Sequence, residues 1–167
     1  MTTTTKARGS AEGAAPSRRS YADDLYGWVE DQIALLKARR LSELDADNIA
    51  DELSDVGNEQ YDKLESAVRV VLLHLLKWDH QPERRSRSWV GSIVEQRRRI
   101  ARVLKKNPSL KRHVAEAILE AYEDAQTDAA VETNLRVDQF PKDCPYGWED
   151  ILDRVVALDD LQSPRKR

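Results

Sequence analysis

Four polar side chains fall on the predicted apolar faces of three helices, and together they could perform acid–base chemistry. They are an imidazole, a guanidinium and two carboxylates: His74, Arg97, Asp128 and Glu132. A histidine can accept and release a proton near neutral pH, and an arginine beside a carboxylate can hold an anionic substrate group. If the protein is an enzyme, these four residues are the candidates for a hydrolase-like catalytic centre.

The same four residues also have a structural explanation that requires no substrate. A buried arginine needs a carboxylate partner, because an unpaired charge in the core is strongly destabilising. Arg97 is therefore expected to pair with Asp128 or Glu132, and His74 is expected to be a hydrogen-bonded core histidine. We favour this structural interpretation, and whether the protein is an enzyme stays open, with the balance against it.

A strongly basic segment lies between two acidic ones. Residues 83–113 hold eleven lysines and arginines against two acidic residues, whereas residues 21–66 and 114–160 each hold thirteen acidic residues. Such a segment can bind the phosphates of a nucleic acid or a smaller ligand, or it can pair with acidic helices of its own chain. The net charge of −3 favours internal pairing. The candidates for anion or nucleic-acid binding are Arg84, Arg85, Arg87, Arg98 and Arg99.

The sequence gives little support for a metal or a cofactor. The histidines occur in no HxxxH, ExxH or HExxH spacing, and neither a P-loop nor a dinucleotide fingerprint is present. Acidic residues on the second and fourth helices could hold magnesium, but a solvated acidic surface explains them more simply. The single cysteine, Cys144, allows no internal disulfide. We therefore expect neither a metal nor a cofactor.

Five helices must position these side chains. Charged residues make up 34% of the chain and glycine and proline together number only twelve, which favours an all-α protein. Apolar periodicity and capping residues predict helices over about 20–40, 46–79, 88–106, 109–133 and 148–156. The fold expected is an antiparallel four-helix bundle with a long second helix. A short C-terminal helix completes it, packed by an ordered Pro-rich loop, FPKDCPYGW.

The predicted domain organisation is simple. Residues 20–156 should form a single helical domain, and residues 1–19 and 157–167 should be flexible tails, since they lack apolar periodicity. No apolar run reaches the roughly 18 residues that cross a bilayer, and no signal-peptide pattern is present. We therefore expect a cytoplasmic protein with no membrane partner.

The middle of the second helix is apolar on nearly every side. Over residues 68–76 apolar side chains point in almost all directions, so this part of the helix should be buried all round. Either residues 134–156 or a second subunit must cover its free side. This segment motivates the leading hypothesis, a small interaction module that either self-associates as a homodimer or binds a protein partner. Nucleic acid is a possible partner but is not favoured.

Several segments resemble, in order, the signature segments of the bacterial "domain of unknown function 29" family. They are YADDLYGW, RLSELDADNIADEL, LLHLLKWDHQPERRSRSWVGSIVEQRRRIARVLKKNPSL and FPKDCPY. The similarity covers about residues 21–153. The resemblance implies a helical fold and a bacterial source, and it supplies no catalytic residues because the family has no established activity. A pair of glutamates is expected where this chain has Asp51 and Glu52, which leaves an acidic role open.

Overall fold

The structure, a computed structural model, describes residues 19–158. These residues form five α-helices and no β-strand, which confirms the all-α class. The helices are α1 (Leu25–Lys37), α2 (Ala46–His80), α3 (Arg87–Lys106), α4 (Val114–Thr133) and α5 (Trp148–Asp153). The predicted flexible tails, 1–19 and 157–167, lie outside the described residues except for 19, 157 and 158.

The described residues divide into two compact units, residues 19–53 and residues 54–158. The first unit contains α1 and the beginning of α2, and the second contains the remainder of α2 with α3, α4 and α5. A single helical domain over residues 20–156 stays a prediction. α2 continues through Gly57 without a break.

In the first unit, α1 begins at Leu25, whereas the sequence predicted a start near Ser20. Asp24 provides the cap, because its carboxylate accepts a hydrogen bond from the backbone N–H of Gly27 at 2.9 Å. The helix ends at Lys37, and Arg39 then adopts a left-handed backbone with φ of 57°. The predicted extension of this helix to residue 40 is therefore wrong.

Asp45 caps α2 and also connects α2 to α1. One carboxylate oxygen accepts the backbone N–H of Asn48 at 3.4 Å, and the other accepts the indole N–H of Trp28 at 3.1 Å. The backbone N–H of Asp45 donates to the buried side chain of Gln32 at 3.0 Å. The first unit is thus held together by hydrogen bonds around one buried indole.

The core of the second unit is built around the middle of α2. Seven apolar residues of this helix have no exposed surface: Leu64, Ala67, Val68, Val71, Leu72, Leu75 and Leu76. Ile93 and Ile100 of α3 pack against them, together with alanines that recur at every fourth position of α4. These alanines are Ala117, Ala121, Ala125 and Ala129. α2, α3 and α4 therefore share one core, as the periodicity of their sequences predicts.

The loop after α4 and helix α5 cover the remaining side of α2. Their buried residues belong to the same core as α2, and they are Phe140, Tyr146, Ile151 and Val156. Of the two alternatives that the sequence left open, the structure shows the one in which residues 134–156 cover the helix. A second subunit is therefore not needed to bury residues 68–76.

Asp79 fastens this C-terminal segment to α2. Its carboxylate accepts two hydrogen bonds from Arg154, at 2.6 and 2.8 Å, and one from the hydroxyl of Tyr146 at 2.9 Å. Burial opposes ionisation of the carboxyl, but these hydrogen bonds outweigh it and hold the pKa of Asp79 below its usual range. No pattern in the sequence predicted this interaction.

The boundaries of α3 agree with the sequence, and those of α4 and α5 differ. Ser86 caps α3, and the helix ends before Asn107 and Pro108. α4 begins at Val114 and not at Ser109, because Pro108 opens a 3₁₀ helix (Pro108–His113) in which Ser109 caps nothing. α5 ends at Asp153, three residues before the predicted end.

The core can be tested with a matched pair of leucines. Replacing the fully buried Leu72 with alanine should lower the free energy of unfolding by about 2–5 kcal/mol, because it removes core contacts and leaves a cavity. Leu119 on α4 is 68% exposed, so Leu119→Ala should change it by less than about 0.5 kcal/mol. Urea denaturation measures both. Equal losses would contradict the packing described.

Candidate functional site

The four candidate catalytic residues do not form one site. The guanidinium of Arg97 donates to the backbone carbonyl oxygens of Ile151, at 2.7 Å, and Asp150, at 3.0 Å. These carbonyls lie in the last turn of α5, where backbone oxygens lack partners within the helix. The prediction that Arg97 pairs with Asp128 or Glu132 is therefore wrong, because the guanidinium binds backbone carbonyl oxygens of α5 instead. Burial lowers the pKa of Arg97.

The two carboxylates of α4 pair with basic residues of α2 instead. Asp128 accepts a hydrogen bond from Arg69 at 3.1 Å, and Glu132 accepts one from the ammonium of Lys77. The side chain of Lys77 is only 7% exposed, and its nitrogen lies 4.5 Å from the centroid of the Trp89 ring. Both ion pairs hold α4 against α2, and Lys77 also contacts α3. The arrangement is that of a structural network.

His74 lies one turn before Lys77 on α2 and is partly buried. Its Nδ1 is buried and makes no hydrogen bond with a described residue, so the expected core hydrogen bond is missing at this atom. Burial lowers the pKa of His74, the charge of Lys77 lowers it further, and Glu132 acts in the opposite direction. The imidazole is therefore neutral at neutral pH, and the charges that act on it are those of the Lys77–Glu132 pair.

The structure does not support two other kinds of site, a metal site and a nucleophilic cysteine. Among residues 19–158, no group of three or more histidine, cysteine or acidic side chains is arranged to hold a metal ion. Cys144 is partly buried, and burial raises the pKa of its thiol, which makes it a poor nucleophile.

A cleft of about 540 Å³ lies in the first unit beside Trp28 and Tyr21. Its polar groups already serve the fold. Asp45 accepts from Asn48 and Trp28, and the hydrogen bond from Asn48 contributes most to holding the pKa of Asp45 below its usual range. The Tyr21 ring meets the Trp28 ring edge-on, with 4.9 Å between centroids. The cleft therefore offers few free groups to a ligand.

Apart from Arg97, the basic residues of the 84–112 segment are exposed or partly exposed, and most of them form no ion pair with a described residue. Arg85 bonds to the carbonyl of Trp78 and Arg102 pairs with Glu95 of its own helix, at 3.3 Å. Six others make no ion pair with any described residue: Arg84, Arg98, Arg99, Lys105, Lys106 and Lys111. The internal pairing that we expected with acidic helices is absent for these six. Arg87, the remaining candidate for anion binding, is exposed but is not without an interaction partner.

The apolar residues of α1 divide into a buried and an exposed set. Trp28 and Leu35 are buried, with Gln32 between them. The exposed set, which we name the apolar face of α1, comprises Leu25, Tyr26, Ile33 and Leu36, each between 44% and 76% exposed. These four lie within an arc of about 100° on the helix. Leu25 and Leu36 face outward because the unit covers only the arc around Trp28.

These features define an all-α protein with separate structural ion pairs and two exposed surfaces, one apolar and one basic. The family model described as "Domain of unknown function DUF29" matches residues 20–156, and the chain belongs to this family. Searches of the curated proteins and of the solved structures found no match. Within residues 19–158, no helix combines the length and the apolar composition needed to cross a membrane.

Stability should fall at mildly acidic pH because of His74. Its pKa is lower in the folded chain than in the unfolded chain, so the unfolded chain binds a proton more readily. The loss of stability begins at about pH 6.5, the pKa of an unperturbed histidine. It grows as the pH falls towards the lower pKa of His74 in the folded state. Asp79 contributes only at more acidic pH, since its pKa lies below that of an ordinary carboxyl.

Urea denaturation at a series of pH values measures this loss. The His74→Gln variant should lose less stability than the wild type between about pH 7.5 and about pH 5.5. The comparison variant is His113→Gln, whose histidine lies at the end of the 3₁₀ helix with a side chain 39% exposed. An unchanged dependence in His74→Gln would refute the role of this residue.

The Lys77–Glu132 pair should respond unequally to loss of each partner. Glu132→Gln leaves the buried ammonium of Lys77 without its counter-charge, whereas Lys77→Met removes the buried charge and leaves a carboxylate whose side chain is 47% exposed. We expect the first variant to lose more free energy of unfolding than the second. Chemical denaturation at neutral pH measures the difference, and a larger loss in Lys77→Met would contradict the description.

Proposed function

We propose that the protein is an interaction module that binds an amphipathic helix of a partner protein through the apolar face of α1. The exposure of this face is the observation that carries the proposal. Single exposed apolar residues are common on proteins, but a contiguous group on one helix is typical of an interaction site. Four such residues share one arc of a helix of only thirteen residues.

The self-association that the sequence suggested loses its original support. Residues 68–76 motivated it, and the same chain encloses them. A hydrolase-like centre is not proposed either, since Arg97 binds the end of α5 while His74 lies near Lys77 and Glu132. The proposal therefore rests on surface chemistry and not on a catalytic constellation.

The charge of the first unit indicates what kind of partner fits. Residues 19–53 hold nine acidic and four basic residues. A second copy would bring the same excess of negative charge to a symmetric interface, and like charges oppose such pairing. A helix with an apolar stripe flanked by lysine or arginine would bury the apolar face and complement the surrounding charge. The chain's own basic helix, α3, does not fit, because its large apolar residues serve the core.

We propose a reducing bacterial cytoplasm as the compartment in which this module acts. The single cysteine of the sequence, Cys144, supports this, because such a chain can form no internal disulfide. The signature segments of the family support a bacterial source.

Binding can be tested with two synthetic amphipathic helices that differ only in charge, one of leucine and lysine and one of leucine and glutamate. The lysine helix should bind, as followed by fluorescence anisotropy, and the glutamate helix should bind far more weakly. Ile33→Gln combined with Leu36→Gln should weaken binding at least about tenfold, because both remove central apolar contacts. The control is Leu119→Gln with Val131→Gln, on exposed positions of α4.

Three results would contradict the proposal. The two helices could bind equally well, or the control variant could lose as much affinity as the variant in α1. The third is a dimer of the chain that the α1 substitutions dissociate, which would make a second copy the occupant. Unchanged helical content, measured by circular dichroism, shows that each variant is folded.

A further inference from the structure

We infer that a basic surface on the second unit binds the phosphate backbone of double-stranded nucleic acid. We define the basic surface as the seven lysines and arginines of residues 98–112: Arg98, Arg99, Arg102, Lys105, Lys106, Lys111 and Arg112. These fifteen residues include no acidic residue. All seven side chains are exposed or partly exposed, on the second half of α3 and on the 3₁₀ helix that follows it.

The charges of the basic surface are free to meet an external anion. Arg102 pairs with Glu95, but both side chains are more than half exposed, and such pairs are weak. Arg112 donates to the ring of His113. The other five form no ion pair with a described residue. The acidic residues Asp128 and Glu132 of α4 cannot serve them, since Arg69 and Lys77 of α2 occupy those carboxylates.

A purely structural role explains only part of this charge. Lysines in the last turn of a helix interact favourably with its negative end, which accounts for Lys105 and Lys106. That effect is confined to the last turn, so it does not explain Arg98, Arg99 or Arg102. Their guanidinium groups present paired N–H donors that match two oxygens of one phosphate.

The side chains between these charges favour a nucleic-acid duplex over a membrane. An amphipathic helix that lies in a membrane surface strengthens its binding by burying apolar side chains in the lipid. The large apolar residues of this segment are buried or partly buried: Ile100, Val103, Leu104 and Leu110. An anionic bilayer would therefore meet charge alone.

A duplex also fits better than a single strand. Proteins that bind single strands without sequence preference stack the bases on aromatic side chains, and residues 98–112 contain no aromatic residue. Trp89, the one aromatic of α3, lies against the ammonium of Lys77. The part of α3 from Arg98 to Lys106 spans about 12 Å, which reaches several phosphates at about 3.4 Å per step of a strand. Recognition through phosphates should show little sequence preference.

The test compares two variants with the same net charge. Arg98→Glu with Lys105→Glu alters the basic surface, and Lys37→Glu with Lys142→Glu makes the same change at exposed lysines elsewhere. Affinity for a mixed-sequence DNA duplex is measured by fluorescence anisotropy over a series of salt concentrations. The wild type should lose affinity as salt rises, and the first variant should bind at least about tenfold more weakly, with a salt slope smaller by about 2. The second should stay within about threefold of wild type.

Each other outcome would overturn the inference. Absence of duplex binding by the wild type at low salt would do so, as would an equal loss in both variants, which would reflect net charge alone. Tighter binding to a single strand of the same sequence would exclude the duplex as the preferred ligand. Binding to vesicles of phosphatidylserine and phosphatidylcholine in place of the duplex, lost in the first variant, would assign the basic surface to membranes.

Discussion

The apolar middle of α2 must be covered on every side, and the rest of the second unit depends on this constraint. A helix that is apolar all round gains stability only when neighbours remove its whole circumference from water. α3 and α4 cover two sides, and the loop after α4 with α5 covers the third. Asp79 and Arg154 then hold that last segment in place. The C-terminal segment is therefore part of the core and not an appendage.

This enclosure explains why polar residues that project inward need not be catalytic. Once α4 packs on α2, its carboxylates lie within reach of Arg69 and Lys77, and pairing satisfies both sides. Once α5 packs on α3, its terminal carbonyls lie at the guanidinium of Arg97. Each interaction is a local consequence of helix packing. The apolar face of α1 and the basic surface are exposed, and both proposals place function on them.

The sequence predicted the helices well and their partners poorly. Periodicity identified α2, α3 and α4 because their apolar stripes are long, and the predicted start of α2 and end of α3 agree with the structure. A helical projection did not predict the partner of Arg97, because it places Cα positions while a long side chain can carry its charged end to another element. It could not foresee that α5 would offer carbonyl oxygens as acceptors. The interactions of Lys77 were not predicted for the same reason, since the apolar stripe of α2 does not show where the ammonium group of this side chain lies.

The exposure of the two surfaces could not be predicted from the sequence either, for a different reason. The stripe of α1 predicts an apolar face but not how much of it the rest of the unit covers, and only the arc of Trp28 and Leu35 is covered. Similarly, the acidic helices suggested internal neutralisation of the basic segment, but Asp128 and Glu132 of α4 pair with Arg69 and Lys77 of α2 instead. Exposure results from tertiary packing, which a single helix does not encode.

Hydrogen exchange can be followed segment by segment with and without the synthetic lysine helix. We expect slower exchange in α1 when the helix binds, while residues 64–78 of α2 exchange slowly and equally in both states, because the chain itself already encloses them. New protection in residues 64–78, with no change in α1, would contradict both the enclosed core and the binding site on α1. That result would mean that a partner, and not the C-terminal segment, completes the core.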